Sequence, residues 1–193
     1  MVAGSGNEQT LQRYVPRVAV EWDVSAQSWR GLDGTLVFVD ISGFTALSER
    51  LATHGRIGAE ELTEVLGRVF GSMLDLAHAR GGALLKFGGD ALLILFTGTH
   101  HATRACAAAV EMRRELRRAA KWRTSVGTLG LKMSAGIHSG TIHLFRVGRS
   151  HTELIVAGPG ATTTTEMEKA AEAGEIVVSS ATRELLPAGS PRR

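Results

Sequence analysis

The chain has 193 residues, 44% of them hydrophobic and 21% charged, enough for one domain with a real core and ordinary for a globular protein. Its net charge of +3, from 22 Lys and Arg against 19 Asp and Glu, does not justify a nucleic-acid partner. The single cysteine, Cys106, excludes an internal disulfide framework and fits a reducing compartment. No run reaches the ~18 apolar residues that would span a bilayer. Met1 to Thr10 lacks the apolar stretch of a secretory signal, so no membrane association and a cytoplasmic setting are expected.

Residues 1–12 are small and polar, with nothing to bury. Tyr14 to Trp29 is richer, with Val15, Val18, Val20, Trp22 and Trp29, and reads as an arm that packs on the main domain or on a partner. Residues 1–32 are thus expected to form a partly disordered N-terminal arm, 33–186 the domain, and 187–193 a tail or the start of a linker. Gly31-Leu-Asp-Gly34 is expected to break the chain before the first strand. Thr35–Asp40 is then a short, nearly all-apolar run, as in a central strand buried on both faces.

Phe44–His54 reads as a helix. Glu60–Ala79 is a clearer one, because Leu62, Val65, Leu66, Val69, Phe70, Met73, Leu74 and Ala77 recur at the helical period. Ala83–Phe87 and Ala91–Phe96 read as strands joined across Gly88-Gly89. His100–Lys121 is a second amphipathic helix, and its basic run from Arg113 to Arg123 reads as a solvated face. Leu131–Ile137 and Thr141–Val147 are expected to form a hairpin turned at Ser139-Gly140. Glu153–Ala157 is a strand, Ala161–Ala173 a helix, Glu175–Ser179 a strand and Ser180–Leu186 a last turn. Helices alternating with hairpins point to a ferredoxin-like α+β sandwich.

Two acids stand where strands meet turns. Asp40 ends the first strand and precedes Ile-Ser-Gly-Phe-Thr45, and Asp90 closes Lys86-Phe-Gly-Gly-Asp90. Two carboxylates beside a glycine-loosened backbone make a seat for divalent metal and phosphate. Read singly, Asp40 also fits a strand-end residue capping the next helix, and Gly-Gly-Asp an ordinary hairpin.

Phe38-Val-Asp-Ile-Ser-Gly-Phe-Thr45, Lys86-Phe-Gly-Gly-Asp90 and Ala135-Gly-Ile-His-Ser-Gly140, followed by Gly174-Glu-Ile-Val-Val-Ser179, resemble in order the signatures of class III nucleotide cyclases. The likeness runs from about residue 33 to 186. Phe-Gly-Gly-Asp-Ala-Leu-Leu and the arm motif Tyr14-Val-Pro-Arg17 are most similar to the first catalytic-homology domain of soluble, bicarbonate-type adenylyl cyclases and their bacterial relatives. The resemblance implies conversion of ATP (with GTP possible) to 3′,5′-cyclic AMP and pyrophosphate, using two Mg²⁺ or Mn²⁺ ions at a dimer interface. It further implies Asp40, Asp90 and the Ile41 carbonyl as metal ligands, and Ser42, Gly43, Phe44 and Thr45 as the phosphate-facing turn. Lys86 matches a purine contact, and His138 a structural position.

The same comparison shows departures. Where complete catalytic domains carry an asparagine and an arginine, this chain has Thr162 and Glu166; the partner purine contact is Ile155. A glutamate cannot neutralise transition-state charge, and an arginine in such a role is commonly worth ~10³–10⁵ in rate. The resemblance therefore implies one half of an asymmetric pair, completed by a complementary cyclase domain in tandem or in trans, rather than a self-sufficient homodimer. The alternative is a pseudocyclase that binds nucleotide and metal as a regulatory or dimerisation module.

Overall fold

The apolar run at Thr35–Asp40 is the middle of a longer strand. The computed structural model describes residues 22, 27–119, 123–128, 130–148 and 153–188, and its first strand, β1, covers Trp29–Ser42. Gly31–Gly34, expected as a break, belongs to that strand: Gly34 lies opposite Thr97 on one side and Gly140 on the other. Beyond β1 come α1 (Phe44–Ala52), α2 (Gly55–Ala79), β2 (Gly82–Gly88), β3 (Ala91–Thr97) and α3 (His101–Ala119). A two-residue ribbon, β4 (Arg123–Thr124) with β5 (Gly127–Thr128), leads to β6 (Lys132–Val147). The chain continues through β7 (Glu153–Ala157), α4 (Pro159–Lys169), β8 (Ile176–Val178) and α5 (Ser180–Glu184).

The sheet order is β2-β3-β1-β6-β7, with β8 parallel to β6 and the other pairings antiparallel. The β1-α-β2-β3-α3-β6 path with β1 beside β6 is the expected ferredoxin-like α+β arrangement. α2 begins five residues earlier than its apolar stripe suggests, because its first two turns are largely exposed and held by polar contacts such as Arg56 Nε to Glu60 Oε1 at 3.0 Å. Periodicity cannot mark a turn that buries little.

The expected hairpin at Ser139-Gly140 does not form. β6 is one strand of 16 residues, registered against β1 from Ser42 opposite Lys132 to Trp29 opposite Phe145. A Ser-Gly pair reads as a turn in one dimension. In the fold the Ser139 hydroxyl lies 2.7 Å from that of Thr35 across the ladder, and Gly140 faces Gly34, so the pairing runs through both.

Alternation along β1 divides the interior in two. Val37, Val39 and Ile41 face the main core, with Leu51, Met73, Leu74, Ala105, Ala109, Met112 and Ile137. Leu36 faces a smaller cluster with Leu85, Leu95, Ile142, Leu144 and Trp22. Trp22 is 3% exposed, donates its indole N–H to the Gln27 carbonyl, and has the Arg30 guanidinium 4.5 Å over its ring. The rest of the Tyr14–Trp22 stretch lies outside the described residues.

α4 covers the second face of β6 at backbone contact. A Cβ placed on Gly136 would stand 2.2 Å from the Glu168 amide nitrogen and 2.4 Å from the Thr164 carbonyl oxygen, so any side chain there must push the helix off the sheet. Polar groups inside the fold are connected to one another. The Thr35 hydroxyl contacts His101 Nδ1 and Ser139; Thr182 bridges Ser139 to Ser179; and Ser179 meets His138 Nδ1 at 2.9 Å. Burial lowers the His138 pKa, favouring the neutral ring.

Gly136→Ala should lower unfolding free energy by about 2 kcal/mol or more, read by urea denaturation. Gly67→Ala, at an exposed α2 position with open space around it, should raise it by about 0.5–1 kcal/mol. A Gly136→Ala variant as stable as the parent would contradict the α4–β6 contact. Burial also pushes the Cys106 thiol up to about 11. The thiol should therefore resist iodoacetamide at pH 8 in the native chain and react readily once the chain is unfolded.

Candidate functional site

Strand register brings the two aspartates together. Asp40 is opposite Ala91 in the β1–β3 ladder, and Asp90 is the residue before Ala91, closing the turn between β2 and β3. Their side chains interact: the Asp40 pKa is raised, first by burial, then by the charge of Asp90, then by that of Glu168. Both carboxylates are half-buried. Among the described residues no three His, Cys, Asp or Glu converge on a single point.

The turn after Asp40 opens α1. Ile41 is 1% exposed with its side chain in the main core, so only its backbone is free to act at the site. The Ser42 hydroxyl donates to the Lys132 carbonyl at 3.4 Å. Gly43 adopts φ +88° as the N-cap of α1, a left-handed conformation that disfavours other residues, and a Cβ there would lie 2.9 Å from the Gly130 carbonyl oxygen. Among the described residues no side chain caps α1, and no acid occupies its first turn, which leaves the amides of Phe44 and Thr45 without a side-chain acceptor there. Phe44 packs on the core and Thr45 is exposed.

Of the remaining sequence-derived residues, Lys86 stands four positions before Asp90 on the neighbouring strand, and the others lie apart from this edge. Lys86 is exposed on β2 and paired with Leu93, just past a register irregularity after Leu84. Ile155 is 39% exposed on β7, at the other end of the strand order. Four strand steps separate them, roughly 19 Å at the usual spacing, and Ile155 is paired near the Trp29 end of the sheet rather than the Asp40 end. One purine cannot touch both within one chain. Thr162 and Glu166 are exposed on α4, one turn apart, and the Thr162 hydroxyl turns back to the Gly158 carbonyl at 3.3 Å. At 100° per residue their face is turned away from the one carrying Thr164 and Glu168 toward β6.

Glu168 and Ser134 are the neighbours that sequence reasoning missed. Ser134 is opposite Asp40 in the β1–β6 ladder, and its hydroxyl donates to Glu168 Oε1 at 3.0 Å. The available signal was the two-residue offset of Ser134 from Gly136, but it becomes legible only once β6 is known to pair with β1 without a break.

Because the folded pKa of Asp40 lies above its ordinary value of 3.8, the favourable contribution is complete below that value and is lost as pH rises through the folded pKa. Asp40→Asn should therefore raise Tm at pH 7 in EDTA by about 1–2 °C, a gain that shrinks as the pH is lowered toward 4. A lower Tm for the variant at pH 7 would contradict the repulsion between these acids.

Residues 30–191 match the family model described as Adenylate and Guanylate cyclase catalytic domain. A stretch of 90 residues, 45% of the chain, is 40% identical to Adenylate cyclase type 10 of Rattus norvegicus and spans 6% of that protein. Among solved structures, the adenylyl cyclase CyaB from P. aeruginosa superposes with a TM-score of 0.71 at 28% identity, covering 82% of each chain. The guanylyl cyclase Cya2 superposes with a TM-score of 0.70 at 29% identity, covering 86% of this chain and 90% of that one. No helix among the described residues is long and apolar enough to cross a membrane. With an edge of two interacting carboxylates beside an uncapped helix start, a ferredoxin-like sheet and a family match over most of its length, the chain belongs to the adenylate and guanylate cyclase catalytic domain family.

Proposed function

We propose that this chain is the carboxylate-bearing half of an adenylyl cyclase, turning ATP into 3′,5′-cyclic AMP and pyrophosphate at an interface with a complementary domain. The observation that carries the reading is the separation within one chain: Asp40 and Asp90 meet beside the α1 turn, while Thr162 and Glu166 face away from them on α4. A complete site would have to be assembled between two chains or domains.

The donor set fits hard divalent cations. Two half-buried carboxylates in mutual repulsion are what Mg²⁺ or Mn²⁺ would relieve, with Asp40, Asp90 and the Ile41 carbonyl as protein ligands. Bound there, such ions would supply the positive charge that eases deprotonation of the ribose 3′-hydroxyl and offsets the triphosphate. The protein's own contribution is positional. The amides of Ser42–Thr45, at the turn from β1 into α1, would receive phosphate oxygens, helped by the positive end of the α1 dipole. Lys86, exposed on the same side of the sheet order as Asp90, would donate to the purine, with ATP the preferred nucleotide and GTP the alternative. In the reaction the 3′-oxygen bonds to the α-phosphorus as the bond to the β-phosphate bridging oxygen breaks and pyrophosphate leaves.

The second reading rests on Glu166. An exposed acid stands where the sequence resemblance implies a cation, and Thr162 spends its hydroxyl on its own helix, so a chain paired only with itself would bind MnATP and release little product. That is a pseudocyclase acting as a nucleotide-dependent dimerisation module.

Cyclic AMP formation from MnATP, by the chain alone and mixed with a domain that supplies the asparagine and arginine, distinguishes the two. Activity in the mixture at least ~10³-fold above the chain alone supports the cyclase half. Silence in both, with association of the two domains demonstrated, supports the binding module. Asp90→Ala should remove MnATP binding and mixture activity while preserving the folded circular-dichroism spectrum; unchanged MnATP affinity would sink the carboxylate assignment.

A further inference from the structure

Across the sheet from Asp40, on the face that α3 covers, a cavity of about 360 Å³ opens between the second half of α3, the segment entering β6 and the loop joining α4 to β8. Its lining includes Arg113 and Arg117 from α3 and the Gly130–Met133 segment, with Leu116, Leu131 and Met133 among the apolar residues and no carboxylate among the described residues. Arg113 and Arg117 are one helical turn apart, a spacing at which an opposite charge is the stabilising choice. The acids of α3 are committed elsewhere: Glu111 to Arg80 and Glu115 to Arg118. Glu175, near the cavity in sequence, accepts the Glu172 amide of its own loop at 3.2 Å.

The basic run on α3 is thus two different things. Arg114 and Arg118 are exposed, as a solvated face requires. Arg113 turns inward: its Nη1 donates to the Gly174 carbonyl at 3.3 Å, and its Nε is buried without an acceptor among the described residues. Burial, followed by the like charges of Arg117 and Arg114, lowers its pKa, which marks a cation held against its own solvation and its neighbours. A buried donor left without a partner in a native fold calls for a water, an ion or a ligand.

We propose that this cavity binds the phosphate group of a small phosphomonoester, at a site separate from the Asp40–Asp90 edge. Two guanidinium forks match a tetrahedral dianion, where a single carboxylate would leave a cation uncompensated. The volume exceeds that of an oxyanion alone, and Leu116, Leu131 and Met133 offer apolar walls to an organic portion. The site backs onto the α1 turn, because Lys132 is opposite Ser42 and Met133 opposite Ile41. A ligand there would brace the strand against which that turn is packed.

The test needs neither nucleotide nor metal, so its failure is distinct from failure of the cyclase reading. Glycerol 3-phosphate is titrated into the ¹⁵N-labelled full chain in EDTA at fixed ionic strength, with inorganic phosphate as a parallel arm. Saturable amide shifts at Gly130–Met133 and Gly174 are expected, with a dissociation constant below ~1 mM and weaker binding of inorganic phosphate. Arg117→Gln, at an exposed position, should weaken binding by about tenfold, while Arg118→Gln should not. Shifts confined to Ser42–Thr45, or unchanged affinity in Arg117→Gln, would overturn the site. Equal affinity for inorganic phosphate would overturn the organic part of the assignment.

Discussion

The ladder between β1 and β6 is the constraint on which the rest depends. Its register runs from Trp29 opposite Phe145 to Ser42 opposite Lys132, and every functional neighbour is measured from it. Because side chains alternate across a strand, fixing Val37, Val39 and Ile41 in the main core fixes Leu36 and Asp40 on the other face. A slip of one residue would exchange those faces, burying Asp40 among Met73 and Leu74 and exposing Ile41. The position of the acid is therefore a by-product of core packing, and the large apolar surface buried around β1 holds it there.

That arrangement has an energetic consequence at the sheet's end. Asp40 is half-buried, faces Asp90, and senses Glu168 beyond Ser134. Negative charge accumulates where it is least solvated, with no arginine or lysine paired to these acids among the described residues. Most folds avoid such a cluster unless it serves a positively charged ligand. The glycine at position 43 extends the same logic: its left-handed backbone starts α1 without a capping side chain, leaving amide hydrogens beside the acids. Negative side chains and unsatisfied amides a few residues apart suit a ligand carrying both signs, such as a cation with a polyphosphate.

Much of this was legible in the sequence, and what was not has physical causes. The apolar run before Asp40, the stripe of α2 and the Gly-Gly turn before Asp90 all announce their structures, since each rests on a local period or a turn requirement. Gly31–Gly34 and Ser139-Gly140 misled, because glycines that face one another across a ladder look, one strand at a time, like two turns. The pairing that reconciles them joins residues more than a hundred positions apart. Ser134 and Glu168 were hidden for the same reason. Arg113 was hidden because a basic helical run looks equally basic whether one member turns inward or none does; only the loop at Gly174 distinguishes it.

The division of the sheet also bears on the proposed need for a partner. Lys86 and Ile155 occupy β2 and β7, the two ends of the strand order, while Thr162 and Glu166 look outward from α4. On the proposed reading, in which these positions serve one nucleotide, they would meet only where a second copy or a homologous domain places its β7 and α4 against the first one's Asp40 edge. A two-fold pair of identical sheets creates two equivalent clefts, each combining the acids of one chain with the α4 of the other. In a pair of this chain with itself, both clefts would set Glu166 toward Asp40 and Asp90, adding a further negative charge to an already repelling cluster. A partner with a basic residue at the Glu166 position removes that repulsion in one cleft and replaces it with attraction. On the proposed reading, electrostatics would favour an unlike pair over a like one, through the same positions proposed to face the transition state.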